Sequence, residues 1–164
     1  WYYDSRSGSW WWDDPSTPEF DPVYKGHGFA GKKDDGRDDP DRDDEKDHGP
    51  LPKGDYKING HHSTKRDLET KLDCIWIDPC KGNKMHNRGG FLIHGGSEDK
   101  DPSQGCICCS KELRDEIIAS GDTDLTVFDG GLAFFFPPHQ ARFPACSDPN
   151  DQLRTRRTFL QNGG

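Results

Sequence analysis

The chain has 164 residues, 29% of them hydrophobic and 32% charged, with 19 Gly, 12 Pro and 6 Cys. That length suits one domain able to bury a core, and the glycine and proline content assigns much of it to loops. A net charge of −8 argues against a nucleic-acid partner. No apolar run reaches membrane-spanning length and no signal peptide is visible. The first residue is Trp1 rather than Met, which reads as a trimmed or mature chain. Six cysteines point to an oxidising destination or to a metal.

Trp1-Tyr2-Tyr3 and Trp10-Trp11-Trp12 flank Ser5-Arg6-Ser7-Gly8-Ser9 and read as a β-hairpin. Its aromatics are expected to pack a core or sheet edge in preference to forming an exposed stacking platform. Gly26-His27-Gly28-Phe29-Ala30-Gly31 reads as a flexible turn able to approach a ligand, with His27 exposed. Residues 34–47 then carry nine Asp/Glu against Arg37, Arg42 and Lys46, a net of −6 that leaves −2 for the remainder. The alternation Asp39, Asp41, Asp43 suggests calcium. However, Asp44 stands where an EF-hand loop needs glycine and Pro50 where it needs glutamate. The expectation is a solvated loop insertion.

Gly49-Pro50-Leu51-Pro52-Lys53-Gly54-Asp55-Tyr56-Lys57-Ile58 reads as a stiff turn feeding a strand, with Asn59-Gly60 as a hairpin turn after it. Residues 61–71 are polar and unpatterned. Asp73 to Ile77 reads as another strand, with Cys74 and Cys80 spaced to bridge across Asp78-Pro79. Phe91 to Ile93 reads as a buried strand that delivers His94 at its end, before Gly95-Gly96. Twelve positions after His94, Cys106 follows directly on Gly105. A histidine at a rigid strand end and a cysteine after glycine are the material of a Cys/His acyl-transfer site. A thiol is a few per cent thiolate at neutral pH and needs a base or a positive field. Backbone N–H groups at Gly105 and Cys106 are natural donors to an oxyanion. The alternative reading makes His94 a structural histidine and Cys106 a disulfide partner.

Ser110 is placed to cap a helix over Lys111 to Ala119, with Leu113, Ile117 and Ile118 as its buried stripe. Glu112 complements its first turn and Gly121 stops it. Leu125 to Phe128 and Leu132 to Phe136 read as late strands around Asp129-Gly130-Gly131. From Pro137 the chain is Pro-rich and then basic, an extended tail. No internal repeat is evident.

The segment 49–58, then Arg88-Gly89-Gly90-Phe91-Leu92-Ile93-His94-Gly95, then Ser103-Gln104-Gly105-Cys106-Ile107 before a helix, resembles the L,D-transpeptidase catalytic domain. More narrowly, it is similar to the L,D-transpeptidase-like toxins that bacteria deliver into rivals by type VI secretion. The resemblance runs from Trp1 to about Asp129. It implies a mostly β domain, a β-sandwich or barrel with one short α-helix after the catalytic cysteine. On that basis residues 1–136 form the catalytic domain, residues 34–47 its acidic loop insertion and residues 137–164 a Pro-rich, basic tail. The implied activity is cysteine-dependent acyl transfer on peptidoglycan stem tetrapeptides, without a cofactor. Carried over by position, Cys106 is the nucleophile and His94 its base, while Gly95, Ser103 and Gly105 shape the loop and oxyanion site. Arg88 is expected to hold a substrate carboxylate by a bidentate pair. The implied partners are the peptidoglycan stem peptide, a cognate immunity protein and the secretion machinery, and the implied destination is the periplasm of a target bacterium.

The chain departs from housekeeping L,D-transpeptidases at Gln104, where they carry His, and at Cys108, where they carry Asn or Arg. Three other readings compete. A different cell-wall cysteine peptidase usually has its histidine after the cysteine, whereas here His94 comes first. A non-enzymatic, disulfide-braced secreted module must account for an odd thiol once Cys106 is set aside. Zinc bound by Cys106, Cys108, Cys109 and a histidine lacks the paired Cys-x-x-Cys spacing of such sites.

Overall fold

Apolar and polar residues alternate in short runs, which produces strands too brief to be stable singly. They gain stability by closing on one another. The computed structural model describes residues 1–63, 73–100, 103–130 and 146. Among these, β1 (Tyr2–Asp4), β2 (Ser9–Trp12), β3 (Val23–Ala30), β4 (Gly54–Ser63), β5 (Asp73–Pro79), β6 (Leu92–His94), β7 (Ile107–Cys109) and β8 (Asp124–Phe128) form a closed barrel. The strand order is β1-β2-β3-β7-β6-β5-β4-β8. One helix, α1 (Lys111–Ser120), links β7 to β8. The chain is thus mostly β with one short helix, and closure leaves no exposed sheet edge to template aggregation.

Strand parity sets the core. Ile93 on β6 pairs with Ile75 on β5 and with Ile107 on β7, and all three point inward and are almost completely buried. Tyr3, Trp10, Tyr56, Leu125 and Val127 complete the same apolar cluster. Burial of each aliphatic side chain of this kind contributes about 2 kcal/mol. The aromatic hairpin forms as expected, with Tyr3 paired to Trp10 and its ring 5.0 Å from the indole.

α1 also begins and ends where its caps dictate. Ser110 Oγ accepts the Leu113 N–H at 3.2 Å, and Gly121 closes the helix at φ 67°. Its buried face is Leu113, Arg114 and Ile117, whereas Ile118 is 39% exposed. One residue beyond Ile117 rotates the side chain off the seam, and the Arg114 guanidinium donates to the Cys109 carbonyl instead.

Four sequence expectations change. Gly26 to Ala30 belongs to β3, and Gly28 is glycine because a Cβ there would lie 2.6 Å from the Cys108 carbonyl oxygen. A close approach between strands had the appearance of a turn. Asn59-Gly60 is no hairpin turn, because β4 runs through it and pairing with β5 resumes at His61 after an irregularity. Cys80 is bonded to Cys146, not to Cys74. The acidic segment is more built than a solvated loop. Pro40–Arg42 forms a single 3-10 turn capped by Asp39, and Arg42 donates to Asp35 at 2.8 Å. The strand expected over Leu132 to Phe136 and the tail from Pro137 lie outside the described residues, Cys146 excepted.

Asp38 ties this segment to the barrel, since its Oδ1 accepts the Ala30 N–H at 2.8 Å and the Tyr3 hydroxyl at 3.5 Å. Burial pushes its carboxyl up to about 6, against the opposing effects of the Ala30 N–H, His27, Arg37 and the Tyr3 hydroxyl. The folded value lies above the ordinary one, so Asp38 contributes stability that is full at acid pH and lost as pH rises through about 6. Asp38→Asn keeps an acceptor for both donors and never ionises. It is expected to melt a few degrees above the wild type at neutral pH, with the gap closing at acid pH, as followed by circular dichroism. A second expectation concerns the thiols. Denatured, unreduced protein should titrate four per chain, Cys74, Cys106, Cys108 and Cys109, and a non-reducing peptide map should return Cys80 joined to Cys146.

Candidate active site

The site forms where β6 and β7 run parallel in the middle of the barrel wall. Ile93 pairs with Ile107 and His94 with Cys108. Because Ile93 and Ile107 face the core, their neighbours within the strands, Leu92, His94 and Cys108, face the opposite side. This parity puts Cys108 beside His94, while Cys106, just ahead of β7, packs against the core cluster near Leu92, Cys74 and Arg88. Phe29 on β3 pairs with Cys108 and extends the row, and the Arg37 guanidinium lies 4.4 Å from the Phe29 ring centre.

His94 is 9% exposed, and its Nδ1 lies 2.7 Å from the Gly95 carbonyl oxygen. A carbonyl only accepts, so Nδ1 carries the proton and Nε2 presents its lone pair. The neighbouring glycine therefore sets the tautomer a general base requires. The Cys108 sulfur lies 3.7 Å from Nδ1 and 3.6 Å from Nε2. Near-equal separations place it against the ring instead of along one nitrogen's lone pair.

The thiols differ in access and in proton affinity. Cys74, Cys108 and Cys109 are buried, while Cys106 is partly exposed. Burial pushes Cys108 and Cys109 up to about 12. Burial also raises Cys106, and the nearby Cys74 adds to the rise. The Leu92 N–H, the Arg88 charge and the N–H of Cys106 itself oppose it. Cys106 is thus the one partly exposed thiol here, and burial still outweighs the donors and the cation that oppose its rise.

Ser103 is 1% exposed and holds the loop ahead of Cys106. Its Oγ accepts the Gly31 N–H at 3.2 Å and the Gly105 N–H at 3.1 Å, and donates to the Cys106 carbonyl at 2.6 Å. The Gly105 N–H is therefore spent on Ser103, which corrects its expected place in the oxyanion site. Gly105 must be glycine for two reasons. Its φ is +124°, and a Cβ would lie 2.3 Å from Arg88 Nη2 and 2.9 Å from the Phe91 ring. Gly95 serves through its carbonyl, which orients His94.

Arg88 differs most from expectation. It is 8% exposed, and backbone carbonyls occupy its terminal donors. Nη1 donates to Asp43 O at 2.6 Å and Pro50 O at 2.7 Å; Nη2 donates to Gly49 O at 2.8 Å and Gln104 O at 3.3 Å. A bidentate grip on a substrate carboxylate needs those same donors, so Arg88 does not fit the role of substrate ligand. The arginine on the His94 face is Arg37, which donates to the Glu98 carbonyl at 3.0 Å between His94 and Ser103. Sequence reasoning missed it because it sits within the acidic block, where its charge reads as local compensation.

No group of His, Cys, Asp and Glu among the described residues is arranged to hold a metal. Likewise, no helix among them is long and apolar enough to cross a membrane. No curated protein and no solved structure matches the chain. Residues 25–122, from β3 through α1 and including His94, Ser103, Gly105 and Cys106, match the Tlde1 domain, which covers more than half of the chain. The protein belongs to the Tlde1 domain family, a family of type VI secretion effectors.

Proposed function

We propose that the protein is an antibacterial enzyme that performs cysteine-dependent acyl transfer on peptidoglycan stem tetrapeptides in the periplasm of a target cell. The observation that carries this reading is one partly exposed thiol, Cys106, placed two residues before the strand position that pairs with His94, a histidine whose Nδ1 is tied to Gly95 O. Membership of a type VI effector family supports delivery into a rival cell.

His94 Nε2 takes the Cys106 proton, and the thiolate attacks the carbonyl at the L-centre of the third stem residue, diaminopimelate. The Cys106 N–H stabilises the oxyanion, a contribution of about 3 kcal/mol for such a donor. The C–N bond to terminal D-alanine breaks, His94 returns its proton to the leaving amine, and a thioester remains on Cys106. An acceptor then cleaves the thioester and restores the thiol. A side-chain amine gives a 3–3 crosslink, a free D-amino acid gives exchange, and water gives L,D-carboxypeptidase trimming. Exchange and trimming both consume the tetrapeptide donors on which this crosslinking depends.

Purified sacculi incubated with the wild type should show loss of terminal D-alanine, D-amino-acid exchange or 3–3 dimers by muropeptide mass spectrometry. Cys106→Ala should show none of these. An unchanged tetrapeptide pool with folded, reduced wild type would overturn the reading in favour of a binding module. Ser103→Ala removes the hub of the loop, including its hydrogen bond to the Cys106 carbonyl, while leaving the Cys106 thiol and the His94 ring chemically unchanged. It should lower kcat roughly tenfold to a hundredfold with little change in KM, the size expected for a small displacement of a reacting group.

A further inference from the structure

We propose that Arg88 is the positioning residue of the nucleophile: its guanidinium locks the Gln104–Cys106 loop onto the 43–50 segment, and its charge favours the Cys106 thiolate. This inference deepens the acyl-transfer reading and rests on it for the role of Cys106. Three observations support it independently of any substrate.

The first is the set of partners. One planar group collects carbonyls from Asp43, Gly49, Pro50 and Gln104, which come from the acidic insertion, the stiff Gly-Pro turn and the residue two before Cys106. A guanidinium can fan its terminal N–H groups to four acceptors, whereas an ammonium has three donors from one point. The second is the fit to the loop. Gly105 is pressed against both Arg88 Nη2 and the Phe91 ring, whose centre lies 5.2 Å from the guanidinium carbon. The third is the charge. Among the described residues no salt bridge involves Arg88, so its positive charge meets carbonyl dipoles instead of a carboxylate in contact. A buried cation held in this way keeps its field for neighbouring groups. Asp43, Asp47 and Tyr56 are the other titratable groups close to Arg88, and Cys74 and Cys108 are those close to Cys106, with His94 beyond Cys108.

The test reads Cys106 directly. The rate of alkylation by iodoacetamide is followed against pH in reduced, folded protein, with the modified cysteine identified by peptide mass spectrometry. No peptidoglycan is involved, so failure to act on sacculi leaves the readout intact. Arg88→Gln should move the alkylation midpoint upward, slowing the reaction at neutral pH by roughly tenfold, which corresponds to about one pH unit. Arg88→Lys should keep the midpoint near that of the wild type while losing turnover on sacculi, with kcat reduced and KM little changed. An unmoved midpoint in Arg88→Gln would overturn the proposal, as would a loss in Arg88→Lys confined to KM, the mark of a substrate ligand. Should Arg88→Gln fail to fold, Arg88→Met gives the same readout, an upward midpoint supporting the proposal and an unmoved one overturning it.

Discussion

The parallel pairing of β6 with β7 is the constraint on which the site depends. Each strand is three residues long, and the register between them is Ile93 with Ile107 and His94 with Cys108. A shift of one residue would turn Ile93 or Ile107 out of the core and carry His94 or Cys108 into it. The apolar side chains thus hold His94 and Cys108 in place, because the same alternation serves both faces. Burial of the two isoleucines is worth several kcal/mol, far more than any polar contact at the site.

A parallel pair requires the chain to return to the start of the second strand, and residues 95–106 make that return. Such a connection leaves backbone groups without a ladder partner, and a buried group of that kind is costly. Ser103 and Arg88 meet this need from opposite sides. The Ser103 hydroxyl serves Gly31, Gly105 and Cys106, while the Arg88 guanidinium serves Gln104 together with the carbonyls of the 43–50 segment. The acidic insertion is in this way part of the scaffold of the nucleophile loop, and its carboxylates carry a second layer of contacts outside it, through Asp35, Arg42 and His48.

The cysteines divide by place in the fold. Cys80 and Cys146 join the end of β5 to the C-terminal region across 66 residues, a closure that confers roughly 4 kcal/mol by restricting the unfolded chain. A bridge of this span suits an oxidising compartment. Cys108 and Cys109 are buried and held far from ionisation, at about 12. Cys106 alone combines access with stabilising donors. Three thiols in four positions therefore divide into two buried ones and one partly exposed one, set by burial.

The local elements were legible in the sequence wherever a short-range rule governs them. The aromatic hairpin follows from alternation around a Gly/Ser turn, and α1 from Ser110 and Gly121 at its ends. The strand into His94 is an apolar run, and the order of motifs singled out His94, Ser103, Gly105 and Cys106. Tertiary structure alone decided what those residues touch. Gly26 to Ala30 carries turn chemistry, yet pairing with β2 and β7 makes it strand, and Asn59-Gly60 is an irregularity within β4 between residues that pair with β5. Cys80 has Cys74 nearby in sequence and Cys146 nearby in space. Arg88 lies six residues before His94, and its role depends on four carbonyls drawn from segments whose meeting no local pattern encodes. Periodicity reports which face of a strand is apolar; only the closed barrel determines what lies opposite that face.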